Sequence, residues 1–386
     1  MTLQSDKYGY QARKRIHLSM IAWLAAATPT LAQDANPATD TRPPIAPDIR
    51  EDDVRLKVQR GDFVAVPIPI SDPTLEEGLI LGAAYFYGQS EEQAETQPAS
   101  VTGAAALYTN NNSRAFAVFQ QNYWRENRWR FTGAVGAADL RLSLLTVDDG
   151  SDQQSIDWRI NGGFLFGKLA RRIGGSWYGG GLVRVVDANQ SLDFGDAPRP
   201  QEFDSGSNVR SVGIGFYTER DSRDNPYNST AGSYFKGEAI FNDESIGSKN
   251  TYQGYSAVFR SYHSLTDNVV LAWEAQGCQR GGTTPLWDAC FVKLRGFPAT
   301  DYLGQTSASG QLEARWQMSK RWGVVGFAGA GYVGSSFSDI REYEPIPSYG
   351  AGLRFMVLAS KRINMRLDYA RSTDSDAIHF SVGEAF

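Results

Sequence analysis

The sequence predicts an all-β chain that closes into a transmembrane, antiparallel β-barrel of about sixteen strands. Three observations predict it. The chain opens with an export signal, and no later run reaches the roughly 18 apolar residues that a spanning helix needs. From Gly61 to Phe386, segment after segment alternates apolar and polar residues with period two. The connections between these segments alternate short and long, as they do when one end of a barrel faces the periplasm and the other the outside.

The export signal is "RKRIHLSMIAWLAAATPTLAQ". Arg13, Lys14 and Arg15 precede an apolar stretch that ends in small residues near Ala32, the layout of a cleaved secretory peptide over residues 1–32. Residues 33–60, "QDANPATDTRPPIAPDIREDDVRLKVQR", are rich in Pro, Asp and Arg and poor in aromatics. They read as a flexible periplasmic linker with one short helix near its end. The barrel is expected over 61–386, giving a protein of the Gram-negative outer membrane.

In a barrel wall one row of side chains meets lipid and the next meets the lumen. "GQLEARWQM" fits this pattern, with Leu312, Ala314, Trp316 and Met318 outward and Gln311, Glu313, Arg315 and Gln317 inward. "VLAWEAQG" turns Leu271, Trp273 and Ala275 outward, and Ala272, Glu274 and Gln276 to the other side. "NMRLDYAR" sets Met365, Leu367 and Tyr369 against Arg366, Asp368 and Ala370. The strands are expected near 63–70, 77–88, 101–109, 113–124, 127–140, 155–169, 173–187 and 207–220. They continue near 230–243, 250–264, 267–280, 305–319, 322–336, 346–360, 361–372 and 376–386.

The loops assign the sides. "ARRIGG", "SLTDN", "MSKRW" and "ASKR" are short, and they alternate with the long "NQSLDFGDAPRPQEFDSGS", 281–304 and 335–346. Residues 281–304 therefore fall outside and the turn at 221–229 falls in the periplasm. One connection, "QSEEQAETQPAS" at 89–100, is long for a periplasmic turn. The last segment, "AIHFSVGEAF", places Phe386 on one face with Ile378, Phe380 and Val382, and resembles the terminal-strand signal by which barrels are recognised for assembly.

Composition narrows the function. Gly (39), Phe (20), Tyr (18) and Trp (9) favour sheet, while three His, two Cys and five Met form no metal or redox cluster, so no cofactor and no metal are expected. A formal charge of -5 gives no reason to expect nucleic acid, whose backbone selects a basic face. After signal removal only His263 and His379 remain, without a serine elbow beside either, and no enzyme activity is expected.

Residues 63–386 resemble the bacterial surface antigen barrels, relatives of the BamA/TamA outer-membrane assembly factors. "LRGF" (Leu294, Arg295, Gly296, Phe297) looks like the motif of that family's sixth outer loop, and lies between the eleventh and twelfth expected strands. "DSRDNPYNSTAGSYF" looks like the family's turn between strands eight and nine, with Asp221, Arg223, Asp224 and Gly232 matching. "GQLEARW" after the loop and the final phenylalanine complete the likeness. The resemblance implies that the sixth outer loop folds back into the lumen, anchored by Arg295, with Glu313 as its expected partner. Gly296 would allow a tight turn, and Phe297 would pack on the inner wall. Cys278 and Cys290, at the strand end and within the loop, are expected to form a disulfide in an oxidising compartment, free thiols being the alternative.

The chain also departs from the pattern. Gly329 stands where relatives carry an aspartate in the strand beside the loop arginine, and Ser229 and Ala231 replace the usual proline and arginine of the turn. The family's periplasmic docking domains have no room in residues 33–60. The expected role is outer-membrane protein or lipid assembly or transport. Its partners would be outer-membrane lipid, the barrel assembly machinery during biogenesis, and a periplasmic protein that supplies substrate. The alternatives are a passive diffusion channel, for which Lys236, Glu238, Glu274, Arg315, Arg366 and Asp368 would line the lumen, and a structural surface protein.

Overall fold

A computed structural model describes residues 61–72, 76–148, 153–193, 207–297, 302–338, 344–359, 362–373 and 375–386. The export peptide at 1–32 and the linker at 33–60 lie outside the described residues. The strands are β1 (Asp62–Asp72), β2 (Glu76–Phe86), β3 (Val101–Thr109), β4 (Arg114–Trp124), β5 (Trp129–Asp148) and β6 (Gln153–Gly174). They continue with β7 (Trp177–Asp193), β8 (Ser207–Asp221), β9 (Gly232–Asn242), β10 (Tyr252–Thr266), β11 (Val269–Gly282), β12 (Cys290–Phe291) and β13 (Leu303–Gly304). The remaining strands are β14 (Thr306–Gln317), β15 (Trp322–Gly334), β16 (Ile346–Leu358), β17 (Ile363–Arg371) and β18 (Asp376–Val382). All but β12 and β13 form one closed antiparallel barrel, sixteen strands in sequence order, with β1 meeting β18. Closure leaves the backbone groups of the wall bonded to neighbouring strands, except along most of the join between β1 and β18.

The outward rows carry the expected apolar side chains. Leu312, Trp316, Leu367 and Tyr369 are exposed to the lipid side, while Glu313, Arg315 and Asp368 on the alternate positions are buried. Trp124, Trp177, Trp316 and Trp322 sit outward at the periplasmic ends of their strands, the level at which amphipathic aromatics are favoured.

Four features differ from the sequence expectation. β5, β6 and β7 run on to Asp148, from Gln153 and to Asp193, so this part of the wall is taller than the alternation suggests. The long periplasmic connection at 89–100 holds a short helix, α1 (Glu91–Thr96), which Ser90 caps reciprocally with Gln93. This capping box satisfies otherwise orphaned N–H groups, which is why a helix of six residues persists there. Helix α1 leans over the turn at 125–128 and leaves an open cleft of about 730 Å³ lined in part by Tyr87, Gln93, Tyr123 and Glu126.

The third difference lies inside the barrel. An inward polar row was expected, yet Ile70, Leu107, Ala115, Leu140, Leu142, Trp158 and Leu192 form an apolar cluster on the inner wall. Leu286, Trp287 and Leu303 from the loop after β11 pack against it, so burial under that loop supplies the reason. The fourth concerns the end of the last strand. β18 stops at Val382, the chain turns at Gly383 (φ 96°), and Phe386 is buried beside Tyr262 and Ala272 on the inner wall. It therefore does not continue the outward row of Ile378 and Val382.

The join between first and last strands is slight. Among the described residues, β1 and β18 share one register pair, Ser71 opposite Phe380, whereas β1 pairs with β2 from Asp62 to Asp72 without a break.

Candidate functional site

The lumen site begins with the connection from β11 to β14. It leaves the wall at Gly282 (φ 83°), makes a single 3-10 turn over Leu286–Asp288, and enters the two-residue ribbon of β12 and β13. Asp288 is gripped by Arg184 from β7 and by Arg280 at 3.0 Å from β11. Cys278 and Cys290 are joined by a disulfide that ties the ribbon to β11. Beyond the ribbon, Val292, Leu294 and Phe297 bury themselves against Tyr302, Val333 and Ile346, with Phe297 and Tyr302 edge to face at 4.9 Å.

Arg295 points from this loop into a buried charge cluster of the lumen. Its Nη1 lies 2.7 Å from Glu313 Oε2 on β14 and 2.9 Å from Asp368 Oδ2 on β17. The contact with Asp368 is an aligned hydrogen bond, and that with Glu313 is an ion pair without such alignment. The guanidinium carbon sits 3.3 Å from the centre of the Phe327 ring on β15, a stacked cation–π contact. Gln311 Oε1 accepts a further bond at 3.3 Å.

Neither carboxylate depends on Arg295 alone. Glu313 also accepts from Arg315 Nε at 2.8 Å, and Arg354 stands 3.8 Å away. Asp368 pairs with Arg354 and lies 3.8 Å from Arg366. Arg354 in turn holds Glu384 at 2.7 Å, and Arg315 donates to the carbonyl of Phe386 at 2.8 Å. The residues after β18 are thereby joined to the same cluster as the loop. Glu313 and Asp368 have no solvent exposure, so each needs its arginines: stranding a buried charge costs about 3–5 kcal/mol.

The backbone at Gly296 is fixed as tightly as the side chain before it. Its φ is 106°, a region that glycine adopts freely, and a Cβ there would lie 3.1 Å from the Arg371 backbone. Its N–H donates to His379 Nε2 at 3.3 Å, and its carbonyl accepts from Ser375 Oγ at 2.8 Å. The hydroxyl of Ser348 donates to the carbonyl of Arg295. Since Nε2 of His379 accepts, its ring proton sits on Nδ1.

The periplasmic turn forms a second constellation. Arg223 closes on Asp221 with two bonds of 2.9 and 2.6 Å and stacks over Tyr234 at 4.7 Å. Asp224 accepts from the N–H groups of Thr230 and Ala231 at 2.8 and 3.0 Å and from the Thr230 hydroxyl at 2.7 Å. It also meets Arg362, from the turn between β16 and β17, at 3.0 Å. Burial works against the Asp224 charge, but Arg362 and the donors of Ala231 and Thr230 outweigh it and hold the carboxyl below its ordinary value. Gly232 (φ 92°) closes the turn, where a Cβ would fall 2.1 Å from the Ser222 carbonyl oxygen. Ser229, at the position of the family's proline, offers its carbonyl to Arg315 at 3.4 Å, which brings this turn beneath the lumen cluster.

Sequence reasoning pairs Arg295 with Glu313 and leaves out Asp368, Arg354, Ser348 and His379 as its neighbours. The only available signal was their inward parity. Gly329, in place of the family's aspartate, lies in register opposite Gln311, and a Cβ there would fall 2.8 Å from that of Gln311. The glutamine amide that reaches Arg295 comes from this neighbouring position. His263 lies apart from the cluster, its Nε2 2.9 Å from Ser261 Oγ near the periplasmic end of β10.

Comparison with known proteins bears on this geometry. The Omp85 superfamily domain matches residues 99–386. BamA from Haemophilus ducreyi lacking POTRA domains 1–3 superposes with a TM-score of 0.57 at 13% identity, covering 83% of this chain and 69% of that one. CdiB from Escherichia coli gives 0.55 at 13% identity, over 83% and 62% of the two chains. CdiB from Acinetobacter baumannii gives 0.53 at 10% identity, over 83% and 59%. The chain thus spans less than two thirds of either CdiB structure. These likenesses are of fold. No curated protein matches the sequence.

Proposed function

Because this chain belongs to the Omp85 superfamily, we propose that it remodels the outer membrane at the seam between β1 and β18, helping other proteins or lipids enter or cross that membrane. The observation that carries the proposal is the seam itself, a single register pair at Ser71 and Phe380 in a wall whose other strands pair along most of their length. Few ladder bonds hold it, so opening it exposes little new edge. Next to this weak join, Arg295 and Gly296 bind β17 and β18 through Asp368 and His379. In this reading Leu294, Arg295, Gly296 and Phe297 anchor the loop as a fixed internal strut, and the wall beside it moves. Asp221, Arg223, Asp224 and Gly232 hold the periplasmic turn beneath the strut, Phe386 serves recognition during assembly, and a periplasmic partner delivers substrate. No step calls for a catalytic group.

The test is a locked seam. Ser71→Cys with Phe380→Cys, in a Cys278→Ser/Cys290→Ser background, is reconstituted into phosphatidylethanolamine and phosphatidylglycerol vesicles. Folding of a small unfolded outer-membrane barrel into those vesicles is followed by gel migration. Acceleration by the reduced form, lost on oxidation, is expected. Equal rates with the seam locked and unlocked would overturn the proposal.

A further inference from the structure

The outward rows of β4, β5 and β6 carry a cluster of three arginines and an aspartate near their outer ends. On the outward rows Phe116, Val135 and Leu165 are exposed apolar side chains. Two to six positions further toward the outside on the same rows stand Arg114, Asp139, Arg141, Arg159 and Asn161. The register aligns them as Tyr108, Arg114, Asp139 and Asn161 across four strands, with Arg141 opposite Arg159 one step further out. Tyr108 is 60% exposed, an aromatic at the boundary between the apolar band and the polar rim.

Asp139 organises the group. Arg159 bonds it through Nε at 2.8 Å and Nη2 at 2.9 Å, and Arg114 Nη2 lies 3.4 Å away. The carboxylate is covered, its side chain 7% exposed, while those of Arg114 and Arg159 are 71% and 50% exposed. Arg141 is exposed beside them. Two cations meet this acid and Arg141 lies two positions along β5, and a guanidinium has five N–H donors, so most donors remain after Asp139 is satisfied. Arg114 opens β4 beside the turn at 110–113, but Asp139, Arg141 and Arg159 are not at loop tips: β5 and β6 stay paired beyond them as far as Asp148 and Gln153. Across the barrel the equivalent outward positions of β14, β15 and β16 are uncharged, with Leu312, Ala328 and Tyr349 in one register row and Gly310, Ala330 and Pro347 in the next.

We propose that Arg114 and Arg159, preset by Asp139, act together with Arg141 to dock the phosphate groups of a phosphorylated glycolipid of the outer leaflet, with its acyl chains along Phe116, Val135 and Leu165. The chemistry asks for both halves of such a molecule. Arginine forks match phosphate oxygens in pairs, and the apolar rows beneath them match hydrocarbon. The site is independent of the seam on the opposite edge of β1 and β2.

The test uses the full chain in mild detergent and reads retained lipid by native mass spectrometry. The probes are bis-phosphorylated lipid A, the same lipid without phosphates, phosphatidylglycerol and inorganic phosphate. Heat-dependent gel migration confirms that each variant is folded. Arg114→Gln/Arg141→Gln/Arg159→Gln is expected to lower lipid A retention about tenfold, and removal of the phosphates to do the same with the unsubstituted chain. Asp139→Asn is expected to hold at least as much lipid A, because it frees donors. Unchanged retention by the triple variant, or equal retention of the phosphate-free lipid, would overturn the proposal. So would equal retention of phosphatidylglycerol, which would mark general attraction to anions, or of inorganic phosphate alone. Should the triple variant fail to fold, Arg114→Gln alone is expected to reduce retention, and an unchanged value would be equally decisive against the site.

Discussion

Arg295 Nη1, on the lumen loop, lies 2.7 Å from Glu313 Oε2 on β14. The same nitrogen reaches Asp368 on β17 at 2.9 Å, so one side chain from a loop spans two strands that are not neighbours in the wall. Ion pairs this deeply buried contribute less to net stability than their number suggests, because desolvation offsets attraction. Their larger effect is on specificity: one loop conformation satisfies every charge, and alternatives strand at least one.

Arg295→Ala is expected to leave the barrel folded but to destabilise it by on the order of 3 kcal/mol, since Arg315 and Arg354 still attend the two acids. Limited proteolysis in intact membranes should then cut within 283–305. Arg295→Lys should restore only part of the protection, because an ammonium cannot stack on Phe327 and reach both acids together. Unchanged resistance in the alanine variant would remove the anchor role.

Asp368→Asn is expected to loosen the same loop. Its effect and that of Arg295→Ala should fall well short of additive in a double-mutant cycle, as for residues in one network. Simple additivity in chemical unfolding would show that the two act separately.

Gly296→Ala introduces a Cβ 3.1 Å from the Arg371 backbone at a φ of 106°, so a cost of about 1–3 kcal/mol is expected. Thermal unfolding of the detergent-solubilised barrel measures it. A variant as stable as the original would mean that the loop tip moves away without penalty.

Single-channel recordings in a planar bilayer should find the original chain silent and Arg295→Ala conducting, as release of a strut from the lumen requires. Large, steady conductance in both would favour a diffusion channel over the remodelling role.

Asp224 provides the pH test. Its folded value lies below that of the unfolded chain, about 3.9, so its contribution is complete above that pH and is lost as pH falls through the folded value. Protease sensitivity of the 222–231 turn should therefore rise only below about pH 4. Asp224→Asn should be sensitive already at neutral pH, with little further change on acidification. An identical acid profile in the variant would assign the transition to other groups.

The strands and their faces were legible in the sequence because each depends on neighbours two positions apart. Leu312 against Glu313, or Leu367 against Asp368, is a local alternation that any barrel wall must show. The inward parity of Glu313 was legible in the same way, whereas the loop motif was legible only through its resemblance to a family. Which inward residues share one height in the lumen is a different question. Asp368 is 73 positions from Arg295, and their meeting depends on how the sheet staggers as it closes and on how far the loop descends. Parity alone gives Arg354, Asp368 and His379 an inward direction without a partner. The apolar patch from Ile70 to Leu192 likewise reads as an exception to alternation until the loop that covers it is in place. Phe386 follows the same logic: four residues of strand-like pattern end in the lumen because Gly383 turns the chain and Arg315 and Arg354 wait inside. The amino-acid order by itself determined a barrel wall and its two faces, since period and composition act locally. The tertiary structure decided which further buried charges join Arg295 and Glu313, since that depends on closure.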